Sequence, residues 1–280
     1  MDELIETRTL PLMAAGRARG GRATQQDELV CLHDLTEDAR LLVLADGMGG
    51  DGAGELAAEG VIHVARRLWE RGAWREQPGP LFLETLCQEA HLELRRRGAA
   101  LTNGSQPHST VVALLIKGDR CSWAHVGDSR LYRFQGRRCL DQTEDHSLAQ
   151  LKVRRGELTA EQMASDPEQH KLLRGLGGPQ PPQVDHGCAM LRPGQAFALC
   201  SDGVWEQLST LELGQLAQRR DQRTGLHEAL TLALERGGQD GDNVALIFFR
   251  LGWMDWLWQR GSGRWSAARW FPNRRSKTAA

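Results

Sequence analysis

Four aspartates of the 280-residue chain stand where carboxylates are costly to keep, each at the rim of a strongly apolar run. Asp46 ends Leu41-Leu42-Val43-Leu44-Ala45, and Asp128 follows Trp123-Ala124-His125-Val126-Gly127. Asp202 ends Phe197-Ala198-Leu199-Cys200-Ser201, and Asp242 lies just before Val244-Ala245-Leu246-Ile247-Phe248. Runs of that length and composition read as buried strands, and converging strands bring their rim residues together. Clustered carboxylates repel one another and are stable as anions only with cations among them. Hard divalent ions such as Mg²⁺ or Mn²⁺ are the natural partners of an all-oxygen set. Two such ions about 4 Å apart activate one water between them and clamp a phosphoryl group. Gly47 and Gly203, next to Asp46 and Asp202, would let backbone approach an ion closely. A single Asp-Gly is an ordinary turn; four carboxylates at strand rims point to a metal centre.

The elements that must position these residues follow from periodicity. Strands are expected at 29–34 and 40–45, the second running into Asp46. Leu56, Val61, Val64, Ala65 and Leu68 recur at helical spacing over 54–71, a loop fills 72–80, and a second helix fits 81–97, closing on the basic run Arg95-Arg96-Arg97 that suits a solvated helix C-terminus. From Ser109 the pattern turns to strands, at 110–117, 120–126 and 130–134, with Gly118-Asp119 as a hairpin turn. Residues 146–182 are polar, carry Gly156, Pro167 and Gly177-Gly178, include one or two short helices, and read as a mobile insert over the core. Strands return at 183–191 and 195–200, helices at 209–219 and 224–235, and a last strand at 244–249. Helices clustered between blocks of consecutive strands give an α+β sandwich, not βαβ alternation.

Composition excludes several classes. The chain is 40% hydrophobic and 25% charged with a net charge of −1, so no global field favours nucleic acid or a membrane. The six cysteines form no C-x-x-C pair and none has an arginine six positions on, which argues against a zinc cage and a cysteine phosphatase and for buried, reduced thiols in the cytoplasm. Asp2, Glu3 and Glu6 stand where a signal peptide would be basic, and no apolar run reaches the ~18 residues of a membrane span. No P-loop or H-E-x-x-H string occurs. The histidines are scattered without ligand spacing and read as structural or surface residues, with His146, beside Asp145, the one worth testing.

In order along the chain, a series of short strings resembles the metal-dependent Ser/Thr protein phosphatases, the type 2C or PPM family, in its bacterial form. They are Arg22-Ala23-Thr24-Gln25-Gln26-Asp27, Ala45-Asp46-Gly47-Met48-Gly49-Gly50, Ser109-Thr110, Val126-Gly127-Asp128-Ser129-Arg130, Thr143-Glu144-Asp145-His146-Ser147 followed by Gly156-Glu157-Leu158-Thr159, Leu173-Arg174-Gly175-Leu176-Gly177, Cys200-Ser201-Asp202-Gly203-Val204, and Asp242-Asn243-Val244. The resemblance implies a four-layer α-β-β-α sandwich of two antiparallel sheets flanked by helices, spanning 1–251, with 146–182 as the substrate-touching flap. It implies two Mn²⁺ or Mg²⁺ ions with a third, weaker one. Asp46 would bridge two ions, with the Gly47 carbonyl on one of them. Asp202 and Asp242 would complete the other, Asp128 with Asp202 would hold the third, and Asp27 would orient metal-bound water. Arg22 would grip the substrate phosphate, and Asn243 would support the Asp242 turn. Arg22, Asp46 and Asp202 are thus the expected catalytic residues. The reaction would be hydrolysis of phosphoserine and phosphothreonine in proteins by a metal-bridging hydroxide, opposing a bacterial Ser/Thr kinase, with a link to secretion-system regulation. Gln25 departs from the family's Asn, Ala245 from its Thr, and Met48 stands where a general-acid histidine is found in eukaryotic relatives.

Two rivals share the fold: a phospho-recognition scaffold without turnover, and a stress-regulatory phosphatase acting on an anti-sigma antagonist. The catalytic domain is expected to act as a monomer. Residues 252–280 form a tail holding five of the nine tryptophans and Arg260, Arg264, Arg269, Arg274, Arg275 and Lys277 against one acid, Asp255. It admits three readings: a disordered terminus, an anchor for a partner protein, or a segment lying on a membrane surface.

Overall fold

A computed structural model describes residues 5–102, 104–163 and 166–261. Twelve strands and nine α-helices are named in it. The strands are β1 (Glu6–Leu10), β2 (Met13–Ala18), β3 (Asp27–Asp34), β4 (Ala39–Met48), β5 (His108–Ser109), β6 (Val111–Lys117), β7 (Arg120–Val126), β8 (Arg130–Gln135), β9 (Arg138–Gln142), β10 (Asp185–Met190), β11 (Gln195–Cys200) and β12 (Val244–Arg250). One sheet runs β1-β2-β12-β11-β8-β9; the other runs β10-β7-β6-β4-β3, with β5 on the end of β4, and the strand pairs are antiparallel. Helices α1 (Ala53–Glu70), α2 (Ala73–Glu76) and α3 (Gly79–Ala99) precede β5; α4 (Leu148–Arg154) and α5 (Ala160–Met163) lie in the insert. Helices α6 (Asp202–Trp205), α7 (Thr210–Ala217) and α8 (Gln222–Gly237) separate β11 from β12, and α9 (Trp253–Gly261) follows β12.

The central strands are mostly apolar because both of their faces are covered. On β4, Leu41, Val43 and Ala45 pack with α1 and α3, while Leu42 and Leu44 meet the other sheet. On β12, Leu246 and Phe248 pack with α7 and α8, while Ala245, Ile247 and Phe249 face inward. Period-two alternation thus feeds three hydrophobic layers, helix on sheet, sheet on sheet, and sheet on helix. This is the expected four-layer α-β-β-α sandwich.

The structure adds to and corrects the sequence expectation. β1, β2 and β9 were not foreseen, and the expected loop 72–80 contains the single turn of α2. The basic run 95–97 is not a plain solvated end: Arg97 bonds both Glu93 and the Leu56 carbonyl, tying α3 to α1. The expected tail begins as a docked helix. Leu251 and Gly252 are buried, Trp256 packs on the inter-sheet core, and Asp255 accepts the Gly252 N–H. The rest of the tail, 262–280, lies outside the described residues.

Candidate metal centre

Antiparallel pairing carries the five aspartates to one edge of the sandwich. Asp27 at the start of β3 is the cross-strand partner of Asp46 near the end of β4. Asp128 follows β7, Asp202 follows β11, and Asp242 precedes β12, which pairs antiparallel with β11. Backbone bonds fix the Asp46 peptide: its N–H donates to Thr110 Oγ1 at 3.1 Å, and its carbonyl accepts from Thr110 N–H at 2.8 Å and Ser109 Oγ at 3.0 Å. Ser201 Oγ donates to Asp27 Oδ2 at 2.7 Å, joining the two sheets beneath the site. Asn243 accepts the Gln26 N–H and donates to the Arg19 and Thr24 carbonyls, so it holds the loop that carries Arg22. Gln25 Oε1 accepts the Asp27 N–H at 2.9 Å.

The glycines serve packing. A Cβ at Gly47 would sit 1.9 Å from the Gly54 carbonyl oxygen, and one at Gly203 would sit 2.2 Å from that of Asn243. Backbone therefore lies on backbone beside Asp46 and Asp202. Arg22 reaches the same edge, but its Nη2 donates to Asp242 Oδ2 at 2.6 Å, so the guanidinium is already paired with a carboxylate of the site.

Burial, followed by mutual repulsion, pushes Asp46 well above the usual carboxylate range. Asp27 and Asp128 are raised for the same reasons, the Ser201 hydroxyl opposing the rise at Asp27, and Asp202 is pushed up to about 6. The donor set fits hard divalent cations on two grounds. It is oxygen only, and Asp128 Oδ1 is buried with no hydrogen-bond partner, a lone pair aimed at nothing in the protein. A stability consequence follows. A carboxyl whose folded pKa is raised binds its proton more tightly in the native state, so stability falls as pH rises from the unfolded value near 4 to about 6, and the cost is complete above that. In chelator, the unfolding midpoint should therefore be higher at about pH 5.5 than at about pH 8, Asp202 contributing roughly 1 kcal/mol over that interval. Asp202→Asn should flatten that slope, and a midpoint that rises with pH would contradict it.

Two clusters bring ligand atoms within 4.8 Å of one another among the described residues, His170 with Asp202 and Glu206, and His125 with His146 and Asp185; the five-aspartate set is not one of them. The sequence reading missed the first. Glu206 lies four residues after Asp202, one helical turn on, a spacing that puts both on one face. Burial first, then the Asp202 and Asp242 charges, raises Glu206 to about 7. His170 comes from the insert, its Nδ1 3.6 Å from Glu206 Oε1 and 3.9 Å from Asp202 Oδ2. In the second cluster the His125 and His146 rings stack 4.5 Å apart. His146 Nδ1 accepts the Gly127 N–H, so Nε2 carries the ring proton toward Asp185, with Arg174 also 3.3 Å from Nε2. Burial and the neighbouring His125 lower His146 to about 4. A neutral, proton-donating His146 beside a guanidinium anchors the insert; it does not ligate a cation.

The insert also walls a cleft of about 610 Å³ whose lining includes Met48, His108, Leu173, Arg174 and Pro181. Met48 ends β4 two residues beyond Asp46, and none of the five aspartates lines the cleft itself.

Comparison with known proteins agrees with this geometry. The family model described as protein phosphatase 2C matches residues 17–235. The Ser/Thr protein phosphatase PstP of Mycobacterium tuberculosis is 31% identical over 85% of this chain and 45% of its own length. This chain thus spans about half of that relative. The catalytic domain of PstP in complex with two manganese ions superposes with a TM-score of 0.71 at 28% identity, covering 87% of this chain and 97% of that one. PppA of Pseudomonas aeruginosa, described as a key regulatory component of T6SS, superposes with a TM-score of 0.65 at 26% identity, covering 85% and 96% of the two chains.

Proposed function

Because the chain belongs to the protein phosphatase 2C family, we propose that it hydrolyses phosphoserine and phosphothreonine in proteins with the help of Mn²⁺ or Mg²⁺ at the carboxylate edge. The observation that carries this reading is the convergence of Asp27, Asp46, Asp128, Asp202 and Asp242 on one edge, with Asp128 Oδ1 buried and unpartnered. Asp46, the Gly47 carbonyl, Asp202 and Asp242 would hold two ions, Asp128 with Asp202 a third, and Asp27 would order water beside them. When bound, such ions supply Lewis-acid charge to the phosphoryl oxygens and lower the pKa of the attacking water.

The chain's own groups do the rest. Asn243 holds the loop of Arg22 against the Asp242 turn. The Arg22 guanidinium, half-exposed, exchanges Asp242 for the substrate phosphate, which its fork fits bidentately. Thr110 and Ser109 keep the Asp46 peptide fixed. The cleft between Met48 and the insert receives the residues flanking the phosphorylated side chain. The reading places the protein opposite a Ser/Thr kinase in the cytoplasm, acting as a monomer. No helix among the described residues is long and apolar enough to cross a membrane, and the likeness to PppA supports a role in secretion-system regulation.

Phosphate release from a phosphothreonine peptide, measured with Mn²⁺, with Mg²⁺ and with chelator, tests this. Turnover with either ion that chelator removes is expected. A folded protein that binds the peptide without turnover under any of these conditions would instead be a phospho-recognition scaffold.

A further inference from the structure

At the end of the sandwich opposite the metal centre, α9 presents large apolar side chains to solvent. Trp253, Met254 and Leu257 are 62%, 75% and 55% exposed. They occupy positions i, i+1 and i+4, one side of the helix. One flank of this side is held: Trp256, at i+3, packs partly buried on the inter-sheet core, and Trp253 meets it edge-on at 6.2 Å. The helix cannot roll to bury its apolar face without giving up that packing. A cleft of about 550 Å³ continues the surface, its lining including Leu10 at the end of β1, the exposed Arg220 and Arg223, and the acids Asp221 and Asp255. Scattered surface leucines need no explanation, but a contiguous patch of this kind does.

The charge of the chain that leaves this patch is one-sided. From Trp256 to Ala280 there are six cations, Arg260, Arg264, Arg269, Arg274, Arg275 and Lys277, and no acid. Trp258, Trp265, Trp270 and Phe271 are interleaved with them. The rest of the chain therefore carries a net charge of −7 against +6 here, apart from the uncounted histidines. An apolar helical face plus a polybasic, Trp-rich segment is the pair of signals that together hold a protein on an anionic lipid surface, where either alone is weak.

We infer that the exposed face of α9 docks on an anionic membrane, toward which the cations that follow it in the sequence add the complementary charge. The bilayer interface takes Trp253, Met254 and Leu257, and the lipid phosphates take the basic side chains. Attachment leaves the metal centre open. β12 begins beside Asp242 and ends beside Gly252, so its seven residues separate the two ends by roughly 20 Å. The protein then works on phosphoproteins held at the membrane face, while remaining releasable by salt.

Co-sedimentation of the full chain with phosphatidylcholine vesicles, with and without phosphatidylglycerol, tests the inference. Binding is expected only with the anionic lipid, and it should be lost at high salt. Met254→Ser/Leu257→Ser alters exposed side chains and spares the Trp253–Trp256 contact, so it should keep the wild-type unfolding midpoint and weaken vesicle binding roughly tenfold or more. Arg264→Gln/Arg269→Gln/Arg274→Gln/Arg275→Gln should do so by at least as much. Failure to bind anionic vesicles at low salt, or binding that the double substitution leaves unchanged, overturns the inference. A patch that holds a second copy would also overturn it, by leaving the protein in the supernatant as a dimer that the double substitution dissociates.

Discussion

Asp46→Asn is expected to lower metal-dependent turnover by roughly 10³-fold or more while leaving a folded protein. Asp46 is the carboxylate whose field reaches all the others: Asp27, Asp202, Asp128 and Asp242 each act on it. Its peptide is pinned by Thr110 and Ser109 and its Cα lies opposite that of Asp27, so an amide at this position keeps the place and loses the charge. An amide neither neutralises a pair of divalent ions nor repels its neighbours. The same substitution should therefore raise, or at least not lower, the unfolding midpoint in chelator, because one buried charge is gone from a crowded cluster. Initial rates on a phosphothreonine peptide across a Mn²⁺ titration, paired with thermal unfolding in chelator, measure both halves. Wild-type turnover by Asp46→Asn would sink the two-ion reading, whereas activity regained at high Mn²⁺ would confine the role of Asp46 to ion affinity.

How far the site could be read from sequence depended on the strands that carry it. β4, β7, β11 and β12 are covered on both faces, so their apolar runs announce themselves and put Asp46, Asp128, Asp202 and Asp242 at recognisable rims. β2 is as buried but reads Met-Ala-Ala-Gly-Arg-Ala, small residues with little strand propensity. The reason is tertiary: a Cβ at Gly16 would lie 2.9 Å from a Leu230 methyl, so the approach of α8 demands smallness there. β1 is a mostly exposed edge strand and β9 a half-exposed one, and neither has a buried face to write a pattern. Contacts made across long separations were equally silent. Arg22 and Asp242 pair over 220 positions, and His170 meets Asp202 only because the insert folds back on α6. The histidine pair of positions 125 and 146 looked scattered in sequence because β8 and β9 lie between them.

The largest stability loss is expected from Asp145→Ala, about 3–5 kcal/mol in urea unfolding. Arg130 Nε and Nη2 donate to the two oxygens of Asp145 at 2.8 and 2.7 Å, both residues being buried. The guanidinium carbon also lies 3.5 Å above the Trp205 ring. Trp205 Nε1 donates to the Asp128 carbonyl at 3.0 Å, so the ion pair supports the turn of one metal-site aspartate and the helix, α6, that begins with another. Removing Asp145 strands a desolvated cation whose remaining side-chain partner is the Tyr132 hydroxyl. The cost then comes from the unpaired charge and not from the pair as such, which is a distinction the double substitution Arg130→Met/Asp145→Leu makes. It should recover most of the lost stability, since apolar side chains of similar volume replace two desolvated charges. It should not recover full activity, because Trp205 would lose the guanidinium it packs on, and Asp128 and Asp202 would be held less firmly. Stability and turnover restored together would show that the pair serves the fold alone. Stability restored without turnover would show that Arg130 positions the metal centre through Trp205.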